Sequence, residues 1–97
     1  MVHLKLGLFI AGEGPQSQRA LDNLDALCVD GLAHCEEVEV VDVVREPGRV
    51  DQEQVYVTPM LIRHLPKPVR RVVGDLSDRQ RLLASLDLLP SSRLLGR

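Results

Sequence analysis

The stretch PKPVRRVVGDLSDRQRLLASLDLL, residues 66–89, decides the fold of this 97-residue chain. Pro66 and Pro68 donate no backbone hydrogen bond and bias the residues before them toward extended geometry. The β-branched residues that come next favour a strand, because their side chains pack well on a pleated surface: Val69, Val72 and Val73. The first half of the stretch therefore predicts a short strand.

A helix is predicted directly after this strand. Gly74 ends the β-branched run, and Asp75 or Ser77 is positioned to cap the helix N-terminus. From residue 78 onward the apolar residues fall close to helical spacing: Leu82, Leu83, Leu86 and Leu89. The whole stretch is thus predicted to be a strand–turn–helix unit.

The beginning of the chain predicts a βαβ unit. Residues 4–11, LKLGLFIA, form a nearly continuous apolar run that is typical of a strand buried on both faces. Residues 16 to about 29 carry an apolar stripe at helical spacing: Ala20, Leu21, Leu24, Leu27 and Cys28. Residues 38–44, VEVVDVV, predict a second strand, and a crossover helix of this length makes the two strands parallel.

The middle of the chain leaves two interpretations open. Residues 45–54 are polar, and a short helix over residues 50 to 55 is only weakly indicated. Residues 60–64 form either a strand after a turn at Pro59 or a short helix that begins at Pro59. The apolar pattern does not decide between them.

The motif PVRRVVGDLSDRQRLLASLDLL resembles the C-terminal signature of the KaiB family of clock adaptor proteins. The resemblance continues in LFIAGEGPQSQRAL at the front and in VVDV and TP in the middle, from residue 4 to residue 89. It implies one α/β domain over residues 1–97, with a core at about 4–89 and a tail at 90–97.

KaiB proteins are known for two folds, and the resemblance implies that either is open to this chain. One is thioredoxin-like, βαβαββα, with Pro59 where thioredoxin-like proteins carry a cis-proline. The other keeps the βαβ front and rearranges the C-terminal half, giving βαββααβ. The residues that this resemblance associates with the fold or its switching are Pro59, Gly74, Asp75, Ser85 and Asp87.

The resemblance also implies a non-enzymatic adaptor that binds a KaiC-like hexameric ATPase and modulates its phosphorylation or signalling cycle, in a clock, a timer or a stress response. KaiA or a SasA-like kinase would be further partners, and a homo-oligomer, dimer or tetramer, is expected. The partner face would come from the first strand, the first helix and the second strand. The expected partner-binding residues are Arg19, Glu39, Arg70 and Arg71.

Two of these expectations carry alternatives. Glu39 stands where clock members usually have a lysine, so the charge of the contact is reversed, and like charges across an interface are unfavourable. Either the partner has changed in step or the arginines carry the interface. Arg70 and Arg71 also fit a structural role, since charged side chains protect an edge strand from further pairing.

Residues with catalytic potential do not form a recognisable site. A thioredoxin-like oxidoreductase needs a reactive CxxC after the first strand, and that place reads GEGPQS. Ser77 with Asp75 and Asp78 is better interpreted as a helix start than as a nucleophile with a base. Cys28 is expected to pack on the apolar helix face as a free cysteine. We therefore predict no catalytic, cofactor or metal site, with a cysteine-less thioredoxin-fold enzyme and a SasA-like sensory domain as the alternatives.

Composition excludes other classes. The formal charge is −2 and aromatic residues make up 2 %, which argues against nucleic-acid binding. The glycines at 12 and 14 lack the third glycine of a dinucleotide fingerprint and are interpreted as a plain turn. No apolar run reaches membrane-spanning length, and no secretory leader is recognised, so a cytoplasmic protein is expected.

Overall fold

The computed structural model describes residues 4–29 and 37–86, which form an α/β domain. The elements follow in the order β1 (Lys5–Ile10), α1 (Pro15–Val29), β2 (Glu37–Asp42), α2 (Gly48–Glu53), β3 (Met60–Leu65), β4 (Arg70–Val73) and α3 (Arg79–Ser85). This is the thioredoxin-like order βαβαββα, and it confirms the first of the two folds expected. None of the helices in this part of the chain is long and apolar enough to cross a membrane.

Strand β1 lies inside a four-stranded sheet with the order β2-β1-β3-β4. It pairs in parallel with β2 and antiparallel with β3, and β4 pairs antiparallel with β3. Leu6, Leu8 and Phe9 have no exposed surface. The prediction of a first strand buried on both faces is therefore confirmed.

The two faces of the sheet carry separate apolar cores. On one face, Leu6 and Leu8 pack with side chains of α1 and α3, including Leu24 and Leu83. On the other face, Phe9 packs with a smaller cluster: Val41, Val55, Met60 and Ile62. The apolar stripe predicted for α1 is the surface that it buries against the sheet.

Residues 60–65 form strand β3, which decides between the two interpretations of the middle segment. Leu61 and Ile62 are both buried, and they face opposite cores, as successive residues of a covered strand do. The Thr58–Pro59 peptide bond is cis, as expected from the thioredoxin-like alternative. The N–H of Gly74 donates to the carbonyl oxygen of Pro59 at 2.9 Å, which joins the end of β4 to this turn.

The cap expected for α3 is wrong in its residue. The N-cap is Asp78, whose extended backbone (φ −90°, ψ 92°) precedes the first helical residue and whose side chain accepts the N–H of Arg81. Asp75 instead accepts the N–H of Ser77 at 3.1 Å and closes the turn before the helix. A carboxylate must sit directly before the first turn to reach its free N–H groups, and Asp75 and Ser77 lie too far upstream.

Cys28 also differs from its expectation. It is half-buried and packs against the core between α1 and the sheet, as predicted. However, it is disulfide-bonded rather than free. The chain's other cysteine, Cys35, lies outside the described residues.

A buried arginine in β3 connects three parts of the fold. Arg63 is 3 % exposed, and its guanidinium donates to the carbonyl oxygens of Leu86 at 2.6 Å and Pro68 at 2.7 Å. These bonds attach the end of α3 and the β3–β4 turn to the sheet. The Nε atom is buried without a hydrogen-bond partner. No local pattern predicts this role, because Arg63 stands in a run of mostly apolar residues, MLIRHL, that is otherwise typical of a core strand.

We expect Leu61→Ala to lower the free energy of unfolding by about 3 kcal/mol, because it removes a fully buried side chain from the larger core. Val73→Ala is the matched control, since Val73 is 48 % exposed on the edge strand β4 and its truncation should cost less than about 1 kcal/mol. Urea denaturation of both variants gives the comparison. Equal losses would contradict the placement of Leu61 in the core.

Candidate partner-binding site

The expected partner-binding residues do not lie together. Glu39 is on β2 and Arg70 and Arg71 are on β4, at opposite edges of the sheet with β1 and β3 between them. At the usual strand spacing these edges are about 14 Å apart. Arg19 lies on α1, above one face of the sheet. These residues therefore do not form one contiguous patch.

Glu39 is engaged within the chain. Its two carboxylate oxygens accept from the guanidinium of Arg49 in α2, both at 2.9 Å. The Arg49 guanidinium also lies 5.8 Å from the centre of the Phe9 ring. The hydrogen bond from Arg49 lowers the pKa of Glu39, and the same bond raises the pKa of Arg49. The reversed charge at position 39 is thus neutralised inside the protein, by a bidentate pair of the stronger kind.

Arg71 holds the other end of the same helix. Its guanidinium donates to the carbonyl oxygen of Glu53, the last residue of α2, at 3.2 Å. Helix α2 is therefore attached to β2 near its start, through Arg49, and to β4 at its end. None of its own side chains is buried, so these polar contacts at its two ends help to fix it over the smaller core. Glu39 and Arg71 consequently have a structural role.

Arg19 fixes the turn between β4 and α3. Its Nε donates to a carboxylate oxygen of Asp75 at 3.1 Å, and Asn23, one helical turn later, donates to the carbonyl oxygen of Asp75 at 2.7 Å. Hydrogen bonds from Ser77 and from Arg19 lower the pKa of Asp75. Gly74, with φ at +125°, makes the sharp change of direction that brings Asp75 to α1.

Arg70 is the remaining candidate. Its side chain is exposed and makes no hydrogen bond or ion pair within the part of the chain that the structure describes. It lies directly opposite Arg63 in the register of β3 and β4. No described carboxylate neutralises it, so its charge is available to an acidic partner.

The residues associated with the two folds fall into three places. Pro59, Gly74 and Asp75 lie close together, at the turn before β3 and the end of β4, and are connected through the bond from Gly74 to Pro59. Ser85 is the exposed last residue of α3. Asp87 lies outside the described residues.

A groove between α1 and β2 adds apolar surface to the expected partner face. Leu21, Leu24 and Cys28 line it from the helix, and Val38 and Val40 line it from the strand. The two valines are 39 % and 46 % exposed, although they belong to a strand of a covered sheet. Successive residues of a strand point to opposite faces, and Val41 points into the smaller core. Val38 and Val40 therefore point to the other face of β2.

Residues 7–88 match the KaiB domain family. The chain belongs to the KaiB family. It is 38 % identical to the circadian clock protein KaiB3 of Synechocystis sp. over 90 residues, which is 93 % of this chain and 88 % of that protein. It is 40 % identical to the circadian clock oscillator protein KaiB of Prochlorococcus marinus subsp. pastoris over 84 residues, 87 % of this chain and 78 % of that one.

A solved structure shows the same fold. The N-terminal domain of SasA from Synechococcus elongatus superposes with a TM-score of 0.67, and the match covers 90 % of this chain and 86 % of that domain. The two sequences are 24 % identical. This likeness confirms the expected thioredoxin-like arrangement of the KaiB-type domain and concerns the fold alone.

We expect Glu39→Gln to lower the thermal unfolding midpoint at pH 7. The difference in midpoint between the variant and the unsubstituted protein should disappear in acid. The folded carboxyl has a lowered pKa, so the pair contributes fully above the ordinary pKa of an unfolded glutamate, about 4.3. Its contribution is lost as the pH falls through the lower folded value.

Thermal unfolding of both proteins between pH 7 and pH 2 tests this prediction. Glu13→Gln is the control, because it makes the same substitution at an exposed residue of a turn. A gap that stayed constant down to pH 2 would show that the Arg49 contact with Glu39 is not an ion pair.

Proposed function

We propose that this protein is a non-enzymatic adaptor that binds a KaiC-like hexameric ATPase and modulates its phosphorylation or signalling cycle, in a clock, a timer or a stress response. The observation that carries the proposal is the KaiB family match, which spans residues 7–88 and includes relatives named as circadian clock proteins. KaiA or a SasA-like kinase, a dimer or tetramer of this chain, and a cytoplasmic location belong to the same proposal.

The surface of the described residues supports a binding role. The groove between α1 and β2 leaves Val38 and Val40 partly exposed on an edge strand, where water-accessible apolar area favours association. Arg70 offers an unpaired positive charge on the other edge. A partner that covers the groove with apolar side chains and presents a carboxylate to Arg70 would match both features.

The turn after β1 supports a non-enzymatic role. It carries no cysteine where a thioredoxin-like oxidoreductase keeps its reactive pair, at the N-terminus of the following helix. The alternatives of a cysteine-less thioredoxin-fold enzyme and of a sensory domain detached from a kinase gain nothing specific from the site.

We expect Arg70→Glu to weaken binding to a KaiC-like hexamer by about tenfold, because it replaces an unpaired cation with an anion facing an acidic partner. The side chain of Arg70 is exposed and makes no hydrogen bond or ion pair with the described residues, so the domain should stay folded. Arg19→Glu should weaken binding too, but it would also place a carboxylate beside Asp75, so Arg70→Glu is the cleaner test.

The measurement is a titration of the labelled protein with the hexamer and ATP. Arg81→Glu is the matched control, since Arg81 is exposed in the first turn of α3, where an acidic residue suits the helix dipole. Unchanged affinity for Arg70→Glu would remove Arg70 from the interface.

Size-exclusion chromatography with light scattering, with and without a purified KaiC homologue and ATP, tests the adaptor role as a whole. We expect a complex with the hexamer, formed slowly if the free protein is a dimer or tetramer. A free monomer that binds at once would mean that the thioredoxin-like form is already the resting state. No complex at any concentration would contradict the proposed function and leave the fold untouched.

A further inference from the structure

A cavity of about 380 Å³ lies where β1 turns into α1. The first turn of α1 forms one side, and Thr58 with Pro59 forms the other. This cavity is separate from the groove between α1 and β2, which is lined by residues further along the helix.

The helix start provides unpaired N–H donors beside this cavity. The N–H of Gln18 donates to the carbonyl oxygen of Gly14 at 3.0 Å, so the N–H groups of Gln16 and Ser17 precede the first helical bond. No backbone acceptor for either of them is found in the described part of the chain. Helix α1 has 15 residues, and the positive end of its dipole faces this side.

Ser17 places a polar side chain at the cavity, independently of the helix N-terminus. It lines the cavity and is only 6 % exposed, whereas its neighbours Gln16 and Gln18 are exposed. Its hydroxyl makes no hydrogen bond to the residues that the structure describes. Among the described residues, only Arg63 Nε is a fully enclosed side-chain atom without a partner, so the Ser17 oxygen is accessible from the cavity that it lines. A ligand in the cavity could therefore pair with this hydroxyl.

Arg19 is the one charged residue among the described residues that line the cavity, and it is paired with Asp75, which lies outside the lining. Arg19 is a lining residue, and only its Nε is used by Asp75, which leaves the terminal amino groups without a partner among the described residues. No carboxylate belongs to the lining. The turn between β1 and α1 is held in place by a hydrogen bond, because the carboxylate of Asp42 accepts the N–H of Gly12 at 3.0 Å. Gly12 has φ at +72° in this turn.

We propose that this cavity binds a small oxyanion, the phosphate or carboxylate group of a small molecule. The N–H groups of Gln16 and Ser17, the Ser17 hydroxyl and the Arg19 guanidinium would donate to its oxygens. The glycine spacing gave no fingerprint for such a site. The site depends on the burial of Ser17 and on the approach of the Thr58–Pro59 turn.

The test uses the isotope-labelled full chain, titrated with sodium phosphate and with sodium acetate against sodium chloride at constant ionic strength. We expect saturable shifts of the Gln16 and Ser17 amide signals with one or both oxyanions and none with chloride. The oxyanion that binds with the higher affinity identifies the chemical class of the ligand, phosphate or carboxylate. Shifts that are spread over the surface, or that do not saturate, would overturn the proposal.

Three variants and one control separate binding from structure. Ser17→Ala and Arg19→Gln should each weaken the affinity by about threefold to tenfold. Asp75→Asn removes the carboxylate that competes for Arg19, so it should keep the affinity or increase it. Arg81→Gln, in the first turn of α3, should change nothing.

Equal weakening by Arg19→Gln and Asp75→Asn would show that Arg19 acts only by holding the turn, and it would overturn its assignment as a ligand-binding residue. The titration needs no partner protein. Its failure is therefore distinct from a failure to bind the ATPase.

Discussion

Strand β1 must be covered on both faces, since Leu6 and Leu8 are fully buried on one side and Phe9 on the other. Each such side chain contributes about 1.5–3 kcal/mol when it leaves water, so no arrangement with an exposed face competes. The parallel pairing of β1 with β2 requires a crossover helix, and α1 supplies it on the face of the larger core. Helix α3 adds Leu82 and Leu83 to the larger core, and α2 lies beside the smaller core through Arg49, whose guanidinium is 5.8 Å from the centre of the Phe9 ring. The need to cover this strand accounts for the βαβ front and for a packed layer on each face of it.

Arginines attach the peripheral elements to that sheet. Arg49 and Arg71 hold the two ends of α2, and Arg19 holds the turn before α3. Arg63 reaches the end of α3 from inside the sheet. The chain has few aromatic residues, so its apolar cores are small. Arginine side chains are long and carry several donors, so they can connect helices and turns that these cores do not bury.

This use of charge changes how the surface is interpreted. Three of the four charged residues expected to contact a partner are paired inside the chain: Arg19, Glu39 and Arg71. Their replacement by alanine is expected to destabilise the fold, so a loss of binding by such a variant would not identify a partner contact. Glu39 is an example, because both of its carboxylate oxygens accept hydrogen bonds from Arg49. Of the four expected partner-binding residues, Arg70 keeps an unpaired charge among the described residues, and the groove beside β2 adds apolar surface.

Local patterns in the sequence determined the elements of this protein. The continuous apolar run of β1, the stripe of α1, and the β-branched residues before Gly74 each define a strand or helix through contacts within a few residues, and these predictions are confirmed. The identity of the family was likewise carried by contiguous motifs and is confirmed over residues 7–88.

Tertiary structure decided the matters that depend on distant partners. Residues 60–65 became a strand because β1 and β4 lie on either side of them to pair with, which no local pattern expresses. The pairs Glu39–Arg49 and Arg19–Asp75 join residues 10 and 56 positions apart, and the cavity at Ser17 is lined on its other side by Thr58 and Pro59. The sequence specifies which side chain stands at each position, but the packing of the whole sheet determines which distant residue it contacts.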